Sequence, residues 1–249
     1  MMMALLEVDS LTGGYTNKNV IENVSFTVNV GEIAALIGLN GAGKSTTIKH
    51  IIGLMEPKSG TVKIGGQQIS EDRDAYRKRF AYIPETPVFY GELTLEEHLE
   101  LTAMAYGIEE SEYKKRAEQL LKEFRMEKRK KWFPAHFSKG MKQKVMILSA
   151  FLTEPELYII DEPFVGLDPL AIRSLLELMD RRRKEGAGIL LSTHILATAE
   201  KYCDRFIILH NGRVKAQGTL EELREQFSLK DATLDELYIQ IVEDDRDGK

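Results

Sequence analysis

Residues 33–46 read Ile33-Ala34-Ala35-Leu36-Ile37-Gly38-Leu39-Asn40-Gly41-Ala42-Gly43-Lys44-Ser45-Thr46. Five consecutive apolar residues describe a strand buried on both faces, and they run directly into a G-x-x-x-x-G-K-S loop. A helical pattern over 46–54 follows. Average residue usage produces G-x-x-x-x-G-K-[ST] by chance in a chain this long with a probability on the order of 1%. The strand before and the helix after reduce coincidence to a small remainder. Gly38, Gly41 and Gly43 let the backbone curl until the N–H groups of the loop face phosphate oxygens, and Leu39, Asn40, Ala42 and Thr46 belong to the same candidate ATP-binding stretch. Lys44 is placed to reach the β and γ phosphates, Ser45 to offer a hydroxyl to Mg²⁺, and the helix starting near Lys44 directs its positive end at the anion.

Working outward, apolar runs at 157–160 and 188–192 also read as strands buried on both faces, each followed by a helical pattern. That alternation predicts a parallel sheet wrapped by helices. Residues 62–64 and 206–215 read instead as antiparallel strands, the second turning at Asn211-Gly212. Between 92 and 152 the pattern changes to successive helices at 95–106, 112–124 and 139–152. The expected fold is α/β, a phosphate-loop NTPase core with a mixed, mainly parallel sheet, an antiparallel β subdomain and a helical subdomain. One domain spans 1–249, with a nucleotide-binding core at about 1–91 and 153–227, helices at about 92–152, and a tail at 228–249. The tail carries a short amphipathic helix near 234–242 and a polar end, Asp244-Asp245-Arg246-Asp247-Gly248-Lys249, read as a packed helix and a frayed terminus.

Two further strand ends carry chemistry. Leu157-Tyr158-Ile159-Ile160 delivers Asp161 and Glu162 at its C-terminal end, where open α/β sheets hold ligands. Asp161 is suited to hold Mg²⁺ through water, and Glu162 to polarise an attacking water. Alone, the pair would read as a strand-end turn; joined to the loop, that reading weakens. Ile189-Leu190-Leu191-Ser192-Thr193 ends at His194, which either contacts the γ-phosphate or orients water, or is a structural strand-end imidazole.

Composition narrows the field. A hydrophobic fraction of 43% with 29% charged residues is ordinary for a globular chain, and no apolar stretch approaches the roughly 20 residues that span a bilayer. The start, Met1-Met2-Met3-Ala4-Leu5-Leu6-Glu7, has no basic segment before its apolar residues, so a cytoplasmic location is expected. Cys203 is the single cysteine, and the five histidines lack zinc-like spacing. The net charge of -5 supplies no global field for nucleic acid, so no nucleic-acid partner is expected. The basic runs at 128–131 and 181–184 read as solvated helix faces.

In order along the chain, Tyr15, residues 38–45, Phe137-Ser138-Lys139-Gly140-Met141, residues 157–162, Gly166-Leu167-Asp168 and His194 resemble the motifs of the nucleotide-binding subunits of ATP-binding-cassette transporters. The resemblance covers about 5–225. It implies that Tyr15 stacks on adenine, that Ser138, Lys139, Gly140 and Met141 form the family signature, that Asp168 belongs to the loop at the dimer contact, and that His194 is the switch histidine. It further implies a homodimer or pseudo-dimer closing head to tail, each ATP lying between one phosphate loop and the partner's signature, with the motion passed to a membrane-spanning permease. Two positions depart from the family pattern. Lys139-Gly140-Met141 stands where most members have Gly-Gly-Gln, and Glu85 stands where they have a glutamine that touches Mg²⁺. Phe89 and Tyr90 lie where the family receives a helix of the membrane partner, or else in the core of the helical segment. Taken with Ser-Lys-Gly-Met, this region is similar to single-domain exporters, in particular the Ecs-type transporters of Gram-positive bacteria.

Other functions remain in view. A DNA- or ribosome-acting ATPase of this superfamily would call for a coiled-coil insertion or tandem cassettes and basic patches, which the sequence lacks. A soluble ATPase in assembly or regulation stays open. A binding-only regulator is disfavoured by the candidate base Glu162.

Overall fold

In the computed structural model, which describes residues 3–15 and 18–246, the apolar runs become the central strands of a six-stranded sheet. Along the chain come β1 (Ala4–Gly13), β2 (Ile21–Asn29), β3 (Ile33–Ile37), α1 (Lys44–Ile51), β4 (Ser59–Ile64), α2 (Arg73–Lys78) and β5 (Phe80–Ile83). Three helices follow, α3 (Leu95–Tyr106), α4 (Glu110–Glu123) and α5 (Lys139–Leu152). The chain then alternates β6 (Leu157–Asp161), α6 (Pro169–Lys184), β7 (Gly188–Thr193), α7 (Leu196–Tyr202) and β8 (Arg205–His210). It turns into β9 (Arg213–Gly218) and ends in α8 (Leu220–Gln226) and α9 (Leu234–Arg246).

The larger sheet has the order β5-β6-β7-β3-β8-β9, parallel except where β9 closes the edge. Every residue of β3, β6 and β7 is buried, as expected for strands covered on both faces. Alternate residues of one strand serve different cores. Leu157 and Ile159 of β6 pack with α1 and the smaller antiparallel sheet, β2-β1-β4, whereas Tyr158 and Ile160 pack with α3, α4, α5 and α6. On β3, Ala34 and Leu36 face the first of these cores, while Ala35 and Ile37 face a third one formed with α7, α8 and α9. Each such Leu or Ile contributes roughly 1.5–3 kcal/mol by leaving water, so the strands that carry the site are anchored from both sides.

Local chemistry explains the helix limits. Thr94 and Glu97 form a reciprocal capping box at the start of α3, and Gly107, at φ 69°, ends it. Two short 3-10 turns, Glu127–Arg129 and Pro134–His136, connect α4 to α5.

The antiparallel reading holds for β4, which pairs with β1, and for the β8–β9 hairpin. The structure adds that β8 also pairs in parallel with β3, because α7 carries the chain back across the sheet before β8 begins. The turn does fall at Asn211-Gly212, both at positive φ, as a tight hairpin requires. Strands β1, β2 and β5 go beyond those read from the sequence; β2 alternates buried and open positions and never forms an apolar run. The polar end continues α9 as far as Arg246, and residues 247–249, like 1, 2, 16 and 17, lie outside the described residues.

Candidate active site

Parallel pairing brings the C-terminal ends of β3, β6 and β7 to one edge of the sheet. Ile37 pairs with Thr193 and Asp161 with Ser192, so Gly38, Glu162 and His194 follow at the same level. The phosphate loop leaves β3 and re-enters regular structure at Gly43, whose φ of 110° opens α1. A side chain there would be strained in that conformation and would also meet Ile21 Cγ2 at 2.8 Å. The first turn of α1 holds no acid, which leaves its positive end open to an anion. Gly212 N donates to Ala42 O (3.0 Å) and Ala42 N to Leu39 O (3.1 Å), bracing the loop from behind. Lys44, only 6% exposed, donates through Nζ to Gly38 O (2.7 Å) and lies 3.4 Å from Glu162 Oε1.

The carboxylates sit at different depths. Asp161 is buried and accepts from Ser192 Oγ. Glu162 takes a left-handed backbone at φ 47°, and its N–H donates to Ser192 O (3.1 Å). This turn sends its side chain to the front of the sheet, where Oε2 accepts from His194 Nδ1 at 2.9 Å. Oε1 makes no hydrogen bond although it is buried. A strained backbone carrying an incompletely paired buried carboxylate has a cost that folding alone does not explain, and such positions gather at functional sites.

A cleft of about 690 Å³ joins these groups: Tyr15, Leu39, Asn40, Gly41, Gly43, Lys44, Ser45, Thr46, Glu85, Glu162 and His194 line it, with Val20 and Val165. Gly38, Ala42 and Asp161 are not among the lining residues. Tyr15 is 52% exposed, and its hydroxyl accepts from Lys49 Nζ (2.8 Å). That ammonium holds the phenol below its ordinary pKa and also lies 5.3 Å from the ring centroid. Glu85 is exposed at the rim, beside Pro84, whose carbonyl accepts from Gln143 Nε2 of α5 (3.3 Å). Tyr82 is pushed above the ordinary tyrosine range, first by burial and then by the negative charges of Asp161 and Glu85.

The segment Ser138 to Met141 is not in this cleft. Ser138 caps α5, accepting from Met141 N (3.3 Å), and α5 too opens without an acid in its first turn. Gly140 presses against the loop after Glu162: a Cβ on it would lie 2.2 Å from Gly166 O. Lys144 Nζ meets Asp168 Oδ2 at 2.9 Å, and that ammonium holds Asp168 below its ordinary pKa while Asp168 caps α6 through Ala171 N (2.9 Å). Ser138 and Lys139 remain exposed.

Comparison with known proteins decides the family. A family model described as ABC transporter matches residues 21–165, from before the phosphate loop to just past the Asp161-Glu162 pair. The chain belongs to the ABC transporter family. It is 67% identical over 243 residues to the ABC-type transporter ATP-binding protein EcsA of Bacillus subtilis (strain 168), covering 98% of each chain. It is 34% identical to the SkfA peptide export ATP-binding protein SkfE of the same organism, over 90% of this chain and 93% of that one. A solved structure of an ATP binding subunit of an ABC transporter superposes with a TM-score of 0.94 at 67% identity, over 96% of this chain and 99% of the other.

Within this ABC chain, the two aromatic candidates part company. Tyr90 is 63% exposed, whereas Phe89 is half-buried against His98 (ring centroids 6.3 Å) and under Lys142 Nζ (5.4 Å). His98 accepts from Tyr90 N through Nε2 (2.9 Å) and donates through Nδ1 to Thr94 O (2.8 Å), fixing the loop on α3. Met141 packs on the helical core, so at this departure from the family pattern the side chain serves burial. Ser192, Val20 and Val165 carry no signal in the sequence reading; only the strand register reveals that Ser192 faces Asp161.

Proposed function

We propose that this chain is the ATP-hydrolysing subunit of an ABC transporter that works in export, acting as a dimer and coupled to a membrane-spanning permease. The observation that carries the reading is the Glu162 carboxylate. It is buried at the mouth of the phosphate-loop cleft, oriented by His194, with Oε1 aimed toward Lys44 and free of hydrogen bonds. A carboxylate so placed accepts a hydrogen bond from a water and turns its lone pair toward the γ-phosphorus. His194 fixes the rotamer, and Lys44 neutralises charge on the transferred group. Tyr15 offers a ring face to adenine.

Mg²⁺ suits the donor set: Ser45, Asp161 and Glu85 bring hard oxygens, and among the described residues no cluster of three or more His, Cys, Asp or Glu forms a protein-only cage. An ion that keeps waters and leans on phosphate oxygens fits that arrangement, and it would neutralise phosphate charge. Glu85 would strengthen the ligand set relative to glutamine while adding negative charge beside the triphosphate.

The exposed Ser138 and the N–H groups around Gly140 form the anion face offered to a second copy, with Lys139 adding positive charge and Asp168 at the contact between copies. In this reading 1–91 and 153–227 form the nucleotide core, 92–152 the lever that carries the signature, and 228–249 the C-terminal element. Tyr90 and its loop receive the permease. No helix among the described residues is long and apolar enough to cross a membrane, so we place the chain at the inner face of the cell membrane, held by that partner. Export is supported by similarity to SkfE, whose name describes peptide export. Phosphate release by the parent chain and by Glu162→Gln tests the catalytic assignment: a loss of roughly 100-fold or more is expected, and equal rates would refute it.

A further inference from the structure

From the sequence, the C-terminal helix reads as a packed element with no part in the chemistry. Its surroundings give it one. Thr233 and Glu236 start α9: Thr233 N donates to Glu236 Oε2 (2.7 Å) and Glu236 N to Thr233 Oγ1 (3.3 Å). Leu234, Leu237, Ile241 and Val242 share an apolar core with Ala35 and Ile37 of β3 and with Phe206 and Ile208 of β8. That contact fixes the rotation of the helix and brings Tyr238, 7% exposed, to the end of β3.

There the Tyr238 hydroxyl oxygen accepts the backbone N–H of Leu39 at 3.1 Å, a bond between residues 199 positions apart. Leu39 lies just where the chain leaves the sheet and enters the phosphate loop. At the first turn of the same helix, Leu234 N donates to Glu200 Oε2 (2.7 Å) on α7, the helix that follows His194. One helix thus bonds both to the start of the phosphate loop and to the helix that follows His194.

We propose that α9 is a strap that holds the phosphate loop in its binding conformation, with Tyr238 as the positioning residue. Without the hydroxyl, a part-buried N–H loses its acceptor and the first residues of the loop gain freedom that nucleotide must then remove. Tyr238 touches neither phosphate nor water in this role; it acts through the Leu39 backbone. The inference rests on reading the cleft as a nucleotide site.

Two variants separate positioning from simple packing. Tyr238→Phe removes one oxygen and keeps the ring, whereas Leu237→Ala opens the apolar contact of the same helix and keeps the hydroxyl. Binding of N-methylanthraniloyl-ATP with Mg²⁺ would be measured by fluorescence on the full chain, beside thermal unfolding. Tyr238→Phe is expected to weaken binding about 3- to 10-fold while its unfolding midpoint stays within about 3 °C of the parent. Leu237→Ala is expected to lower the midpoint by more than about 3 °C and leave binding within about twofold. Parent-like binding by Tyr238→Phe would overturn the proposal, and so would a binding loss that Leu237→Ala reproduces in equal measure. If the parent chain itself failed to bind the probe, the nucleotide reading would fall and the strap with it.

Discussion

Two helix N-termini in this chain suit an anion, and they differ in what surrounds them. Helix α1 opens at Gly43 and α5 at Ser138, both without an acid in the first turn. Around α1 the same chain completes a reactive setting: Lys44 beside Glu162, His194 on the other Glu162 oxygen, and a cleft of about 690 Å³ in front. Around α5 stand an exposed serine and lysine, outside that cleft. The second anion face is not idle, however. Gly140 bears on Gly166, and Lys144 holds Asp168, both on the loop that begins at Glu162. In the proposed function these contacts join an anion at α5 to the chain's own Glu162 loop. In that proposal one chain carries two unlike halves, chemistry in one and a sensor in the other, which become one site only when two copies meet.

Changes on the two faces break this contrast in different ways. Glu162→Gln stands first, because it removes the candidate base while leaving the phosphate loop intact: turnover falls and nucleotide binding persists. Ser138→Glu comes next. A carboxylate at the start of α5 favours the helix yet repels a γ-phosphate, so turnover is expected to drop at least about 30-fold with the fold and single-chain ATP binding retained. Loss of binding in the isolated chain would contradict the separation of the faces. His194→Ala should cost roughly 10- to 100-fold in turnover, since Glu162 keeps its place but loses the group that orients Oε2; a steady-state phosphate assay decides.

The smallest effect concerns the link between the faces. Asp168 is held below its ordinary value of 3.8 by Lys144, so its stabilising effect is present at neutral pH and disappears as pH falls below about 3.8. The Asp168 side chain is half exposed, which limits the contribution to about 1 kcal/mol or less. Asp168→Asn, which keeps the helix cap, should show a slightly lower unfolding midpoint than the parent at pH 7, with the difference shrinking as pH falls below 3.8. A constant difference across that range would mean that the pair with Lys144 is not its source.

Much of this was legible before any coordinates. The phosphate loop was readable because its glycines, lysine and serine are fixed by the geometry of phosphate, and the Asp161-Glu162 and His194 strand ends because parallel strands expose their C-terminal ends together. Helices α3 and α5 matched their patterns to the residue. The β8–β9 hairpin was legible, but the parallel pairing of β8 with β3 was not, because residues 206–210 read alike in either sense and only the crossover through α7 decides. Strands β1 and β2 escaped because they are partly open on one face and offer no continuous apolar run. Ser192 and Tyr238 escaped for a different reason: their partners, Asp161 and Leu39, lie 31 and 199 positions away, and no local periodicity encodes such contacts.

The central claim, that each catalytic centre is assembled from two copies, is tested most directly by mixing two inactive variants. Glu162→Gln lacks the base but offers an intact α5 face; Ser138→Glu lacks that face but keeps Glu162. In a mixed dimer one site carries both defects and the other carries none. Random pairing at equal amounts makes half the dimers mixed, so the mixture should recover about a quarter of the parent phosphate-release rate although each variant alone is nearly silent. A mixture as silent as its components, under conditions where the parent turns over and the variants are shown to pair, would contradict the account.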